Sequence, residues 1–471
     1  MKKKQIITMA MIIAFFAIVI FISGCSDKII ENNSATMTCH DCNVLFLNME
    51  LLRADYVDLI STEHGTNITP HIDEFFKNGI IFKDVTSAAG ATAYSNMATM
   101  TGLDGFFVKE IFGNASVDRP IEIPPKIESI MKKHTSLAEI FHNNNYFTVN
   151  LNIGSHSGKN VFLDRGFDKY SGKDSSLNDS IYPRTVRILK AIPSDKKYFM
   201  LIHPSKLNGN IPFELPANIT KINNSKIVYF YNKTTKTYFM SYQIHKNGSL
   251  IHDDFVNEDN YVVWMNDSMY NEYLNVASQA YAQKVNFIDS ELKQIFDYLK
   301  SSGELNNTIV VLYANHGDGL YEHYIRAHGT PYQSDVHVPL LIRYPGLNKQ
   351  INITTPVSLI DLEPTIFDML GIQYNSGDSS KISLIQGGNY SREYLFGINP
   401  QNKYVRHNDI KLLTFADGHK ELYNITADPN ELNDIAVNNS ATIKALSDVL
   451  LAHEIVNKEK FREQNPNTPL Y

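Results

Sequence analysis

Three groups in this chain carry side chains suited to chemistry at positions where a folded sheet would present them. Glu50 directly follows an apolar run over 44–49, and Asn315 with His316 directly follows another over 309–314. A carboxylate, an amide and an imidazole are donors for a divalent cation and groups for moving protons. Thr92 is the third: Gly90-Ala91-Thr92-Ala93-Tyr94-Ser95 leads into a short helix read over 96–101 and closed by Gly102. Near a helix N-terminus, backbone donors and the dipole favour a bound anion or a developing alkoxide, and metal coordination turns a weak threonine hydroxyl into a usable nucleophile. Each residue has a plainer reading. Threonine routinely caps helices, a strand-end Glu is often a solvated charge, and a lone His is more often structural. The joint placement, at the carboxyl ends of two strands and the start of a helix, singles them out. Cys39 and Cys42 form a Cys-x-x-Cys pair with no second pair to complete a zinc site. A local disulfide in an oxidising compartment is expected, with a redox role as the alternative.

The elements that must hold these residues follow from periodicity. Short apolar runs at 44–49, 146–150, 198–202 and 309–314 alternate with helical stretches at 72–78, 136–143 and 277–299. That alternation predicts an α/β fold, an open and mostly parallel sheet flanked by helices. Residues 207–270 break the rhythm and read as an excursion over the sheet. After a helix at 364–370 the chain turns to short strands and ends in a helix at 442–456, a small C-terminal α+β subdomain. The expected division is 1–25 as an export signal, 26–42 as a tether, 43–372 as the catalytic domain and 373–471 as the C-terminal subdomain.

The 471-residue length suits a large domain plus a smaller lobe, and 43% hydrophobic with 20% charged residues describes an ordinary globular chain. A net charge of -7 without a basic, aromatic-interleaved stripe excludes nucleic acid as an expected partner. Lys2, Lys3 and Lys4 precede an apolar stretch over 6–22, the pattern of an export signal. Ile22-Ser23-Gly24-Cys25 then resembles the lipobox of prokaryotic lipoproteins, with Cys25 as the lipidated residue; an uncleaved signal anchor is the alternative. Either places the protein outside the cytoplasm on the outer face of a membrane. The chain holds 14 Asn-x-Ser/Thr sequons, Asn67, Asn352 and Asn424 among them. They read equally as glycosylation sites and as plain asparagine overuse.

From Glu50 onward the motifs resemble the sulfatase family of the alkaline-phosphatase-like superfamily. Glu50-Leu51-Leu52-Arg53-Ala54-Asp55 resembles the opening motif, and 92–102 resembles the nucleophile segment. Leu163-Asp164-Arg165-Gly166-Phe167-Asp168, Asn315-His316-Gly317, His328-Gly329-Thr330-Pro331-Tyr332 and Glu421-Leu422-Tyr423 resemble later blocks in the same order. The resemblance implies an alkaline-phosphatase-like fold with one divalent metal (Zn, Mn or Ca) held by Glu50, Thr92, Asn315 and His316. It further implies Thr92 as nucleophile, His328 against the transferred group, and Asn96, His156 and Asn210 on the substrate side. Where sulfatases carry a Cys or Ser that becomes formylglycine, this chain has Thr92, which cannot form that aldehyde, so no formylglycine is expected. A Glu ligand with a Thr nucleophile is similar to phosphoethanolamine and phosphoglycerol transferases. The expected function is therefore a membrane-anchored, metal-dependent hydrolase or transferase acting on phosphate or sulfate esters of glycans, lipids or small molecules. The alternatives are a catalytically decayed binding protein, since Leu51 and Asn315 stand where carboxylates are common, and a true sulfuric ester hydrolase with an unmodified nucleophile.

Overall fold

The computed structural model describes residues 37–113, 125–152, 164–171, 181–204, 228–232, 237–241, 243–246, 249–253, 267–320, 322–324, 328–373, 382–385, 392–399, 402–466, 468 and 470. The export signal, Cys25, most of the tether, His156 and Asn210 lie outside these residues. Among the described residues, no helix is long and apolar enough to cross a membrane.

The elements that frame the site are, in chain order, β1 (Asn43–Asn48), α1 (Pro70–Phe76), β2 (Ile80–Phe82), α2 (Thr92–Thr101), α3 (Gly105–Phe112), α4 (Leu137–Asn143), β3 (Phe147–Asn152), β4 (Lys169–Ser171), β5 (Tyr198–His203), α5 (Asp267–Ser301), β6 (Thr308–Tyr313), β7 (Leu340–Arg343), β8 (Ile351–Ile353) and α6 (Leu362–Leu370). The eight strands form one sheet in the order β8-β2-β7-β6-β1-β5-β3-β4. Only β7 runs against the rest, pairing antiparallel with both β6 and β2. β1 lies between β6 and β5, with Asn48 opposite Tyr313 and Leu47 opposite Ile202. Strands covered on both faces need apolar side chains on both, which is why Val44, Leu45, Phe46 and Leu47 and their partners Ile309 to Leu312 are all fully buried.

On one side, α2 packs against α3, α4 and α6; on the other, α1 lies against the long α5. Phe141 of α4 stacks on Phe199 of β5 at 4.3 Å, and Phe75 of α1 stacks on Phe296 of α5 at 4.0 Å. The start of α1 is capped from α5: the Asp289 carboxylate accepts from the backbone N–H of His71 at 3.0 Å and of Ile72 at 2.7 Å. The expected disulfide joins Cys39 and Cys42 at the threshold of β1. After α6, a four-stranded antiparallel sheet of β9 (Leu395–Ile398), β10 (Lys403–His407), β11 (Ile410–Thr414) and β12 (Lys420–Asn424) is backed by α7 (Ser440–Gln464). Phe106 of α3 joins the apolar core between that sheet and α7, fastening the C-terminal unit beside the main sheet.

A half-buried acid on α1 makes stability depend on pH. Burial, reinforced by the neighbouring Asp58, pushes the Asp73 carboxyl up to about 7, while its Oδ1 accepts from Leu59 N–H and the Thr69 hydroxyl. A carboxyl whose pKa is higher folded than unfolded favours the fold at low pH, and that contribution is lost as pH rises from the unfolded value near ~4 through about 7. Asp73→Asn keeps an oxygen for both hydrogen bonds and never ionises. Its Tm should exceed the wild type at pH 8, with the difference shrinking toward pH 5, as read by calorimetry across that range. An equal offset at every pH would refute the assignment.

Candidate active site

The carboxyl ends of β1 and β6 and the first turn of α2 converge on one buried point. The Thr92 hydroxyl lies 3.2 Å from Glu50 Oε1 and 2.8 Å from His316 Nε2. Thr92 is the first residue of α2, and Ala91, which occupies the cap position, offers no side-chain acceptor. Threonine therefore does not cap the helix here; the first-turn N–H groups are left to the pocket. Gly102 closes α2 with φ +61°, the left-handed conformation that suits glycine at a helix end.

The tautomer of His316 follows from its other nitrogen. Nδ1 is 2.7 Å from the Gly317 carbonyl, which only accepts, so the proton sits on Nδ1 and Nε2 offers a lone pair to Thr92. Burial, aided by His328, holds this imidazole well below its ordinary pKa and so neutral. Burial also raises the Glu50 carboxyl above the usual range, partly opposed by His328 and the Thr92 hydroxyl. One threonine proton thus faces two acceptors. In addition, Glu50 Oε2 and both amide atoms of Asn315 are buried without a hydrogen-bond partner among the described residues. Buried oxygens left unpartnered in this way, Glu50 Oε2 and Asn315 Oδ1, are expensive unless a cation or proton compensates them.

Further histidines complete the pocket. His328 stacks on His316 at 4.4 Å between ring centroids, and its Nδ1 is 3.7 Å from the Asp318 carboxylate. Burial alone would lower the His328 pKa, but Asp318 outweighs it and holds the imidazole above its ordinary value. His203, the last residue of β5, brings Nε2 within 3.9 Å of Glu50 Oε2. Its position obeys the same strand-end rule that singles out Glu50 and Asn315, one residue beyond the apolar run at 198–202. Asp335 is fully buried beneath the His328 loop; its Oδ2 accepts from the Thr330 N–H and hydroxyl, and burial pushes its carboxyl up to about 7.

Close approaches fix the backbone around these groups. A Cβ on Gly317 would lie 2.0 Å from the Ser334 carbonyl oxygen, so only glycine lets the chain pass directly after His316. Leu51, following Glu50, has φ +68°, a conformation bulky residues avoid. Tyr281 of α5 clamps it, donating to the Leu51 carbonyl at 2.5 Å and accepting from Arg53 N–H at 3.0 Å. Arg53 then links this turn to the loop after His316, through Asp55 at 2.6 Å and Glu322 at 2.5 Å. Asn96 is buried one turn beyond Thr92, its Oδ1 accepting from Asn48 Nδ2 at 2.9 Å.

The structure thus gathers Glu50, Thr92, His316 and His328 in one place with Asn315 buried next to His316 in the chain, adds His203, Asp318 and Asp335, and puts Asn96 one turn beyond Thr92. A second acidic group, Asp55, Glu63 and His64, has donor atoms within 4.8 Å of one another. Both Asp55 oxygens are already engaged by Arg53, and His64 Nε2 rests on Asp55 at 2.8 Å, so this cluster is an ion-pair network in its own right.

A family model described as Sulfatase matches residues 42–372. A sulfatase of Formosa agariphila is 31% identical over 157 residues, covering 32% of this chain and 31% of that protein. Arylsulfatase K of Danio rerio is 30% identical over 164 residues, covering 31% of each. The matched segment thus spans about a third of the length of these relatives. The crystal structure of a phosphonate monoester hydrolase of Agrobacterium radiobacter superposes with a TM-score of 0.60 at 14% identity, covering 88% of this chain and 96% of that one.

Proposed function

From the premise that this chain belongs to the sulfatase family, we propose that it is a metal-dependent hydrolase or transferase of phosphate or sulfate esters in which Thr92 is the nucleophile. The observation that carries this reading is the Thr92 hydroxyl held between a carboxylate at 3.2 Å and an imidazole lone pair at 2.8 Å.

The donors fit a divalent ion of the Zn or Mn type. Glu50 Oε2 and Asn315 Oδ1 are buried and without hydrogen-bond partners among the described residues, and His316 Nε2 turns its lone pair toward the Thr92 oxygen. These atoms and the Thr92 oxygen would hold the ion, which when bound supplies charge neutralisation at the ester oxygens and acidifies the hydroxyl. The chain's own residues do the rest. Thr92 Oγ1 gives its proton to Glu50 Oε1 and attacks the phosphorus or sulfur as the bond to the ester oxygen breaks, and takes that proton back when its own ester is released. His328, kept protonated by Asp318, donates to the leaving oxygen and then takes a proton from the water or acceptor alcohol that releases the Thr92 ester. The first-turn N–H groups of α2 face the developing charge.

One observation favours a second reading. Leu51 offers no donor and Asn315 is neutral, so of the four residues expected to hold the ion Glu50 is the one anion, as expected of a scaffold that binds an anionic ester without turning it over. Aryl sulfate, aryl phosphate and aryl phosphodiester assayed with Mn, Zn and Ca separate the readings. Turnover of a phosphorus ester, with a phosphorylated Thr92 trapped in mass spectrometry, supports the nucleophile reading. Turnover of the sulfate ester alone would sink the preference for phosphoryl transfer, and binding without turnover under every metal would establish the decayed reading. We also place the enzyme on the outer face of a membrane, tethered through Cys25; the pattern of Lys2 to Cys25 supports this, and release from the membrane fraction by Cys25→Ser tests it.

A further inference from the structure

Beneath the reacting groups lies a layer of buried asparagines. By strand register, Asn152 of β3 stands opposite His203 of β5, and Asn48 follows Leu47, the partner of Ile202, so these three residues share one level of the sheet. Asn48 Nδ2 donates to Asn96 Oδ1 at 2.9 Å, and both residues are at most 2% exposed. The other amide atom of each, Asn48 Oδ1 and Asn96 Nδ2, has no hydrogen-bond partner among the described residues, and the same holds for both amide atoms of Asn150. Two leucines in place of Asn48 and Asn96 would remove the stranded Asn48 Oδ1 and Asn96 Nδ2 from this core, so stability alone does not explain an amide pair. Rules of core composition are broken mainly where function requires it.

We propose that the Asn48–Asn96 hydrogen bond is a positioning brace that sets the separation of Glu50 and Thr92, an inference that rests on Thr92 acting as nucleophile. Asn48 lies two residues before Glu50 on the strand that delivers it. Asn96 lies four residues after Thr92, one turn away on the same face of α2. The bond therefore joins the strand of one reacting group to the helix of the other, directly under their 3.2 Å contact. A separate link runs to the third group: the Ser87 hydroxyl donates to the Asn315 backbone carbonyl at 2.5 Å, and Ser95 of α2 reaches the same oxygen. With α2 pinned to β6 through Asn315 and to β1 through Asn48, the Thr92 oxygen has no freedom to slide along the sheet. Asn96 is thereby a positioning residue rather than a substrate contact.

The test uses the full chain carrying Asn48→Leu, Asn96→Leu and both together. A misplacement of about 1 Å is enough to lower turnover ~10²-fold. Each single variant should lose ~10- to 100-fold in kcat with KM within ~3-fold, and the double variant should be no worse than the poorer single, because the two act as one unit. Affinity for the ester should be the same in Thr92→Ala and Thr92→Ala/Asn96→Leu. Crystal structures of the wild type and Asn96→Leu, with melting curves to confirm folding, should show the Thr92–Glu50 contact opening. An Asn96→Leu variant with raised KM and unchanged kcat, or additive losses in the double variant, or an unaltered Thr92–Glu50 separation, would overturn the brace. Turnover surviving in Thr92→Ala, or absent from the wild type, refutes the nucleophile reading instead; the crystallographic separation alone then decides the brace.

Discussion

Thr92→Ala should lower kcat at least ~10⁴-fold toward every ester the wild type turns over, while leaving the protein folded. The hydroxyl is hydrogen-bonded to Glu50 and lies against His316, and among the described residues no other hydroxyl bonds either side chain. The fold should survive the loss. Ala91, not Thr92, occupies the cap position, and alanine is the better helix former. Removing the hydroxyl does take a donor from the buried Glu50 Oε1 and His316 Nε2, a cost of about 1–3 kcal/mol, so Tm should fall by a few degrees at most. Thr92→Ser restores the hydroxyl and should recover most of the lost rate. Steady-state kinetics with differential scanning calorimetry on the three proteins decides the matter. A Thr92→Ala enzyme within tenfold of wild type would remove Thr92 from the chemistry.

What made this site legible was the rule that open parallel sheets present ligand groups at strand ends. It applied cleanly to β1 and β6 because both are central, and so are apolar without interruption up to the residue that turns into the pocket. His203 obeys the same rule, but β5 ends in a histidine that still belongs to the strand, and an apolar run taken to stop at Ile202 hides it. The expected helices at 72–78, 136–143 and 277–299 are present as α1, α4 and α5, the last longer at both ends. The C-terminal helix, expected over 442–456, runs from Ser440 to Gln464. Its last turns are mostly polar and hold to the core through Asn457 and Phe461, too sparse a pattern for periodicity to register. Other features leave no local trace at all. Leucine is the wrong residue type to announce φ +68° at position 51, and only the Tyr281 clamp from α5 explains it. The Asn48–Asn96 bond and the Arg53–Glu322 pair join residues 48 and 269 positions apart, contacts that only the folded sheet creates.

That last pair supports the largest expected loss of stability. Arg53 is almost fully buried, 3% exposed, and meets Asp55 through both Nε and Nη2 and Glu322 through Nη1. Burial alone would favour the neutral carboxylic acid, yet Arg53 and then His64 hold the Asp55 carboxyl well below the usual carboxylate range. Glu322 is likewise held low by Arg53 against its burial. Arg53→Met fills much of the same volume but strands both carboxylates, and breaking a buried ion pair from one side typically costs about 3–5 kcal/mol. The sign of its pH dependence is also set. A carboxyl depressed in the fold stabilises above its unfolded pKa, and that contribution is lost as pH falls through the folded value. The variant forfeits it, so its deficit in Tm should be greatest near pH 7.5 and should narrow toward pH 4.5, where the stranded acids take up protons. Because Arg53 also ties the turn after Glu50 to the loop after His316, the surviving folded enzyme should show a lower kcat as well. A variant that melts with the wild type at pH 7.5 would show that the Arg53 ion pairs add nothing to stability.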